Sequence, residues 1–347
     1  MGFEINEEQK VRISLSNHAY SIMKQDMAVF SVEKQATFIN TIITNYHEDS
    51  MASLSTYLIN KRNEFWELFE GTSAEIRSAS ARQLTLAEEK KAVDTLKLMM
   101  SVKDVSKLYH INNENTDYLT SECEEDEFYK NRTGMFIKCL VEDYSRLPFI
   151  ERERIYRKEI FEIVEKACQT DTLMQVRTKI NNETQTFIVY PYKILPDALN
   201  SQLYLACYTR KPNAAPKEKK PASFSMARLE KPRLLKQNSF LSNSDREKLE
   251  KDITQRSVVY LLSEATEIHV KLSEIGKRFF HNRIISRPIK NDELSTDNEY
   301  VFFCTEEQAF LYFYPFGKEA EILSPLSLRE RLIKGYKQAL ESYTVKK

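Results

Sequence analysis

Hydrophobic and polar residues alternate strictly over residues 9–15, near the start of the chain. Alternation with a period of two is typical of a β-strand that is buried on one face only. A single strand of this kind cannot satisfy its own backbone hydrogen bonds, and we therefore expect it to pair with the same strand of a second chain in an obligate homodimer. The residues on its outward face are Lys10, Arg12 and Ser14.

Two helices are predicted after this strand, and the second carries apolar residues at helical spacing from Phe38 to Tyr46. One strand and two helices within residues 1–50 resemble a ribbon-helix-helix domain, in which the outward strand residues usually contact the major groove of DNA. Residues 1–50 hold four basic and seven acidic side chains, a balance that neutralises few phosphates. The expected role of this segment is therefore dimerisation without strong DNA binding.

Residues 51–150 are predicted to form a helical connecting region. Amphipathic patterns indicate helices after Met51, after Thr85 and after Thr133. The acidic and asparagine-rich stretch 112–127 is expected to be a loop.

Runs of β-branched and aromatic residues dominate residues 151–241, which predicts a small, strongly bent sheet. Pro191 is expected to end one strand because proline cannot donate to the sheet ladder, and a hairpin turn is expected at residues 181–182. On the last strand, Arg228 should share a face with Phe224. The predicted elements are a helix over 158–168 and strands over 173–179, 186–190, 203–208 and 222–229.

Helices and strands alternate again in the C-terminal part, which predicts a small α+β sandwich. The fold class of the whole chain is therefore α+β, with a ribbon-helix-helix segment, a helical region, a β-barrel and the sandwich in that order. The four predicted domains are 1–50, 51–150, 151–241 and 242–347.

Three short motifs in the third domain follow the order found in the WYL domain of bacterial regulators. They are Pro191-Tyr192, Leu203-Tyr204-Leu205 and Ser223-Phe224-x-Met226-x-Arg228-Leu229. Leu203 stands where that family has its tryptophan, and Ser225 and Ala227 replace an inner arginine and aspartate. The resemblance implies an Sm-like, SH3-type β-barrel that senses nucleic acid or small effectors.

WYL regulators usually carry a winged helix-turn-helix, whereas the front of this chain resembles a ribbon-helix-helix domain. That combination resembles the WYL accessory proteins of type VI-D CRISPR systems, which bind single-stranded RNA and stimulate an RNA-guided ribonuclease. The resemblance implies that the partners are single-stranded RNA, an RNA-guided ribonuclease and a second copy of the chain.

The 347-residue chain is neutral overall, with 51 basic and 51 acidic residues. The charges are unevenly placed, because residues 176–240 hold twelve Lys or Arg against four Asp or Glu, while residues 112–130 hold seven acidic residues and one lysine. This asymmetry indicates a basic working surface on the barrel. Two solvated loops of opposite sign are the alternative.

The expected location is the cytoplasm. Five scattered cysteines, none in a C-x-x-C pair, favour a reducing compartment over a disulfide framework or a zinc site. No apolar run approaches the roughly 20 residues that span a bilayer, and the acidic N-terminus does not resemble a signal peptide. No membrane association is therefore expected.

No catalytic motif is present in the sequence. The six glycines are far apart, which excludes a P-loop and a dinucleotide-binding fingerprint, and no H-E-x-x-H or G-x-S-x-G occurs. We expect a protein that is not an enzyme and that needs neither a cofactor nor a metal.

Basic and aromatic residues are interleaved around the predicted barrel, a pattern that suits single-stranded nucleic acid because cations track phosphates while rings stack on bases. In the alternative interpretations the rings form the barrel core and the lysines only solubilise loops, or the barrel binds a small effector. The candidate nucleic-acid-binding residues are Arg177, Lys179, Tyr192, Lys193, Tyr204, Arg210, Ser223 and Arg228.

The expected function is that of a non-enzymatic accessory protein that binds single-stranded RNA and modulates a CRISPR ribonuclease. The alternative is a dimeric transcription regulator whose barrel senses an effector. Such a regulator would contact DNA through Lys10, Arg12 and Ser14.

Overall fold

The structure is a computed structural model, and the chain divides into two compact units, 1–158 and 159–347. Both units mix helices with antiparallel sheets, which confirms the α+β class. The residues that the structure describes are 9–125, 128–180, 183–197, 201–239, 241–261 and 265–344, so the predicted turn at 181–182 lies outside them.

The N-terminal unit consists of two strands and seven helices within its described ranges. They are β1 (Gln9–Leu15), α1 (Asn17–Val29), α2 (Gln35–Tyr46), α3 (Leu54–Leu68), α4 (Ala74–Ser101), β2 (Val105–Ile111), α5 (Asn113–Glu125), α6 (Thr133–Arg146) and α7 (Phe149–Tyr156).

Strand β1 pairs with β2 of the same chain, antiparallel and in register along its whole length, with Arg12 opposite Leu108 and Ile13 opposite Lys107. The expectation that β1 pairs with its own copy in a second chain is therefore wrong. The sequence did not predict β2, because this strand breaks the alternation of polar and apolar residues. Lys107 lies on the inward face, where it donates to the Tyr20 hydroxyl at 2.6 Å. Leu108 lies on the outward face and is 56% exposed.

The ribbon belongs to an internal repeat, because β1-α1-α2 is followed later by β2-α5-α6. Five apolar positions of α2 recur in α6, each 98 residues further along, and all ten side chains are buried. The five pairs are Phe38 and Phe136, Ile39 and Ile137, Ile42 and Leu140, Ile43 and Val141, and Tyr46 and Tyr144. The predicted loop at 112–127 is therefore largely helix α5. Asn112 caps its first turn, because the backbone amide of Asn115 donates to the side-chain oxygen of Asn112 at 3.0 Å.

The two halves of the repeat are tied together by reciprocal hydrogen bonds. The Tyr46 hydroxyl donates to Asp143 at 2.9 Å, and the Tyr144 hydroxyl donates to Asp26 at 2.8 Å. Burial, reinforced by the neighbouring carboxylate, raises the pKa of both phenols. Arg152 neutralises the buried Asp26 at 2.8 Å, so this carboxylate is both paired and hydrogen-bonded.

The C-terminal unit contains two sheets. Its described elements are α8 (Lys158–Gln169), β3 (Thr172–Ile180), β4 (Glu183–Pro196), β5 (Leu203–Arg210), β6 (Lys220–Ser225), β7 (Glu230–Asn238), α9 (Asn243–Arg256), β8 (Thr266–Leu272), α10 (Glu274–Asn282), β9 (Lys290–Asn291), β10 (Glu299–Cys304), α11 (Glu306–Phe313), β11 (Ala320–Ser324) and α12 (Leu326–Thr344). The first sheet has the strand order β6-β5-β4-β3-β7 and the second β11-β8-β10-β9, with every pair antiparallel.

Two local predictions in the first sheet are wrong. Strand β4 continues through Pro191, because a register shift between Pro191 and Lys193 makes Tyr192 an extra residue in the ladder. The predicted strand 222–229 is divided, since β6 ends at Ser225 and residues 226–228 form a single 3₁₀ turn that carries Arg228 into solvent.

Helix α9, which follows the predicted domain boundary at residue 242, packs on the first sheet and also contacts β10 of the second sheet. One buried cluster joins Leu249 of α9 and Val258 just beyond it to Tyr190 and Tyr208 of the sheet. A separate cluster, which includes Val270, Phe302 and Tyr312, forms the core beneath the second sheet.

Candidate nucleic-acid interface

Most of the candidate residues lie on one face of the five-stranded sheet, which we call the outer face. Residues that are directly paired in an antiparallel ladder project to the same side, and the pairs Ile188 with Arg210 and Tyr190 with Tyr208 define it. The centre of the opposite, inner face is closed, because its side chains there are fully buried. Among these inner residues are Val176, Val189, Leu205 and Cys207.

The centre of the outer face is covered by the segment that contains α9. Tyr190 and Tyr208 are only 5% and 4% exposed and belong to the cluster with Leu249. Tyr192 and Tyr204 lie at the margin of this cluster and are half-buried. The aromatic residues are therefore partly core, as one of the alternative interpretations holds.

Tyr192 and Lys193 share one acceptor on α9. The Tyr192 hydroxyl donates to Glu250 Oε1 at 2.5 Å, and Lys193 Nζ lies 2.6 Å from the same oxygen. Hydrogen bonds from Lys193 and then from Tyr192 lower the pKa of Glu250, and the bond to Glu250 raises the pKa of Lys193. The bulge turns Tyr192 towards α9, so both candidate residues face protein.

Three further candidates support the fold around this face. Arg210 donates from Nε to the Tyr190 hydroxyl at 3.2 Å and from Nη1 to the Ala214 carbonyl at 2.7 Å, which ties down the loop after β5. The Ser223 hydroxyl, in a side chain only 8% exposed, donates to a backbone carbonyl at 3.4 Å, and the Tyr204 hydroxyl donates to a glutamine at 3.1 Å.

One end of the outer face is open to solvent. Arg177, Lys179 and Arg228 are all exposed there, and neither arginine has a hydrogen-bond or ion-pair partner among the described residues. Lys179 makes only a 3.9 Å ion pair with Glu230, which stands opposite Arg177 in the ladder.

Strand β7, which lies beside β3 at the edge of the sheet, carries three more exposed cations that the sequence pattern did not single out, and the third of them lies near Thr172 at the other end of β3. The whole set, which we call the open edge, comprises Arg177, Lys179, Arg228, Lys231, Arg233 and Lys236. Arg233 stands opposite Gln175 in the ladder and donates to its side-chain oxygen. The K-x-R-x-x-K spacing of 231–236 in a β-rich run was the signal available in the sequence.

The outward face of the ribbon carries less charge. Lys10 and Arg12 are exposed, and the Ser14 hydroxyl donates to that of Ser106 at 3.0 Å. Across the ladder, His110 stands opposite Lys10 and Leu108 opposite Arg12.

The described residues contain no group of three or more histidines, cysteines or acidic residues placed to hold a metal ion. Burial raises the pKa of the Cys139 and Cys304 thiols to about 12, which is the opposite of the lowered value of a reactive cysteine. No helix in the described ranges has the length and apolarity that crossing a bilayer requires.

The fold is similar to that of a solved protein described as a CRISPR Cas-related protein. The two structures align with a TM-score of 0.71 over 96% of this chain and 94% of the other, at 20% sequence identity, a likeness that shows the fold alone. Proteasome accessory factor B/C (PafBC) of Arthrobacter aurescens aligns with 98% of this chain and 51% of its own length at 13% identity, with a TM-score of only 0.29 that supports no argument. No family model and no curated protein matches the sequence.

Proposed function

We propose that the protein is a non-catalytic accessory protein that binds single-stranded RNA and modulates an RNA-guided CRISPR ribonuclease in the cytoplasm. The open edge is the observation that carries the RNA-binding part, because six cations lie exposed along β3, along β7 and in the turn before β7, and only one is in an ion pair with a carboxylate of the described residues. Affinity for nucleic acid rests largely on phosphate neutralisation, which requires cations that are free to move to the ligand.

The fold supports the same proposal. A helix followed by five strands, with the last strand beside the first, is the order expected for an Sm-like barrel, and the comparison with a CRISPR Cas-related protein covers almost the whole chain. Two β-α-α units joined through their strands support the ribbon-helix-helix interpretation of the N-terminal unit. The half-buried rings of Tyr192 and Tyr204, further along the outer face, would add stacking to charge.

Fluorescence anisotropy with a labelled single-stranded RNA tests the binding. Each phosphate neutralised on a single strand contributes about −0.7 to the log–log dependence of affinity on salt, so four to six contacts give a slope of roughly −3 to −4. The Arg228→Ala variant should bind more weakly, with a slope less steep by about 0.7. The matched control is Lys334→Ala on α12, an exposed lysine outside the open edge, which should bind like the wild type. RNA affinity that is unchanged in Arg228→Ala would contradict this use of the open edge.

The ribonuclease part is tested separately. The RNA-guided ribonuclease encoded nearest to this gene is assayed on a labelled target RNA with increasing amounts of wild-type protein. Faster cleavage that Arg228→Ala fails to produce supports the proposal, whereas an unchanged cleavage rate contradicts it. Cleavage of RNA by the purified protein alone would contradict the non-catalytic assignment.

The dimeric DNA-binding regulator is the second candidate, because the outward face of the ribbon is complete within one chain and exposes Lys10 and Arg12. Duplex DNA bound more tightly than single-stranded RNA at the same salt concentration, and lost in a Lys10→Ala and Arg12→Ala double variant, would favour it.

A further inference from the structure

Helix α9 presents acidic side chains to the cations of the outer face. Glu250 lies 2.6 Å from Lys193, and Asp245 lies 2.7 Å from Lys219. The Lys219 ammonium also sits 5.3 Å from the ring centres of both Tyr190 and Tyr208, and therefore lies over the covered centre of the sheet. Lys193 and Lys219 are thus each paired with a carboxylate of the same chain. A phosphate of a bound nucleic acid would have to replace that carboxylate.

Helix α9 is held in place by both apolar and polar contacts. Only Leu249 and Ile253 are apolar among its fourteen residues, and only Leu249 is fully buried. A third ion pair joins Arg246 to Asp171 at 2.8 Å, and α9 also contacts β10 of the second sheet. Both members of the Lys193–Glu250 pair keep about half of their side-chain surface in water, at 52% and 47% exposed. Ion pairs this exposed add little stability and are weakened by salt.

The outer face is continuous with the open edge. Ile188 lies under α9 in the buried cluster, and its ladder partner Gln175 accepts a hydrogen bond from Arg233 of the open edge. Along β4, Arg177 and Lys179 stand opposite Thr186 and Thr184, and Lys193 lies seven residues beyond Thr186. An extended RNA strand that follows the outer face from the open edge therefore reaches the place where Glu250 holds Lys193 and Tyr192. Its phosphates would compete with the carboxylates for the same ammonium and hydroxyl groups.

We infer that α9 is an intramolecular competitor of RNA: its carboxylates block the centre of the outer face, and bound RNA displaces the helix and gains Lys193, Lys219 and Tyr192 as contacts. This inference rests on the proposed function. It makes the binding surface larger than the open edge, and it makes access to the larger surface depend on the acidic residues of α9.

The Glu250→Gln variant tests the inference, because it removes the charge and keeps the shape. Glu247→Gln is the matched control, since Glu247 is an exposed residue of the same helix with no partner among the described residues, and the change in net charge is identical. At low salt, the dissociation constant for a single-stranded oligouridine should fall about fivefold in Glu250→Gln and less than twofold in the control. Asp245 is unsuitable for this test because it also caps the helix, accepting from the Ser242 amide and hydroxyl.

Two further measurements separate displacement from simple electrostatics. In a Lys193→Ala background, Glu250→Gln should raise affinity less than it does in the wild type, because one of the groups that it releases is absent. Amide hydrogen exchange of residues 243–256 should be faster in the wild-type complex with RNA than in the free protein.

The possible outcomes separate this inference from the proposed function. Equal affinities of the two glutamine variants, a gain that is undiminished without Lys193, or unchanged exchange in α9 would each overturn the inference and leave RNA binding intact. The absence of RNA binding in the wild type and in both variants would overturn the proposed function and the inference with it.

Discussion

The ribbon of the N-terminal unit and the first sheet of the C-terminal unit both expose basic residues, but in different amounts. The outward face of the ribbon has two exposed Lys or Arg residues, Lys10 and Arg12, whereas the open edge has six. The inward face of the ribbon holds Ile13 and Leu15 at 0% and 1% exposure in the core. The ribbon is therefore expected to contribute mainly to folding and, under the proposed function, the sheet mainly to binding, a difference that the pattern of alternating residues does not reveal.

The largest effect is expected when a charge enters the inward face of the ribbon. Ile13→Arg puts a guanidinium in a fully buried position, which should destabilise the N-terminal unit by several kcal/mol unless the group escapes to water. Thermal unfolding followed through Trp66, the single tryptophan, reports on this unit. Ser14→Arg, on the outward face of the same strand, is the control and should stay within about 0.5 kcal/mol of the wild type. Equal stability of the two variants would show that the ribbon is not part of the core.

A smaller effect, on binding alone, is expected at the open edge. Arg177→Gln combined with Arg233→Gln removes two exposed cations, and RNA affinity at low salt should fall about tenfold because two phosphate contacts are lost. The unfolding temperature should hardly change, since surface substitutions usually alter stability by less than about 0.5 kcal/mol. Lys334→Gln with Lys337→Gln on α12 removes the same charge and should bind normally. A large loss of stability in the arginine variant would mean that these side chains support the sheet.

A weaker effect still is expected from the outward face of the ribbon. Lys10→Ala with Arg12→Ala should leave single-stranded RNA affinity within about twofold, because this face supplies only two cations. Anisotropy titrations beside the open-edge variant give the comparison directly. A loss as large as that of the open-edge variant would move the binding surface to the ribbon.

The smallest effect is expected on dilution. Because β1 and β2 belong to one chain, the unfolding temperature of the N-terminal unit should shift by less than about 1 °C between micromolar and nanomolar protein. Trp66 fluorescence is sensitive enough for both concentrations. A ribbon shared between two chains would instead lose stability steadily as the protein is diluted.

The sequence was sufficient for elements whose pattern is local. Strand β1, helix α2 and the strands around Tyr190 and Tyr208 follow their hydrophobic spacing closely. Strand β2 was missed because a lysine, Lys107, lies on its inward face and a leucine, Leu108, on its outward face. The contact of Lys107 with Tyr20 accounts for the inward lysine. The repeat of α2 in α6 was visible in the sequence, but it requires the two segments to be compared across 98 positions.

The candidate site was predictable in the type of its residues and less so in their exposure. Arg177, Lys179 and Arg228 are exposed, as binding residues must be. Tyr192 and Lys193 instead meet Glu250, which is 57 residues away from Lys193 along the chain, and no local pattern indicates such a contact. Tertiary packing decides whether an aromatic side chain is buried and whether a lysine is paired. Here the packing of α9 on the sheet decides both.

The single-chain ribbon has one more consequence, which concerns direction. A ribbon built from two identical strands repeats the same side chains about a two-fold axis, and its surface looks the same from either end. In this chain Lys10 and Arg12 of β1 face His110 and Leu108 of β2, so the two ends differ. A molecule that binds this surface is therefore held in one orientation, and a substitution in one strand alters one half without altering the other. Joining both halves in one polypeptide thus gives the ribbon a polarity that a symmetric dimer lacks.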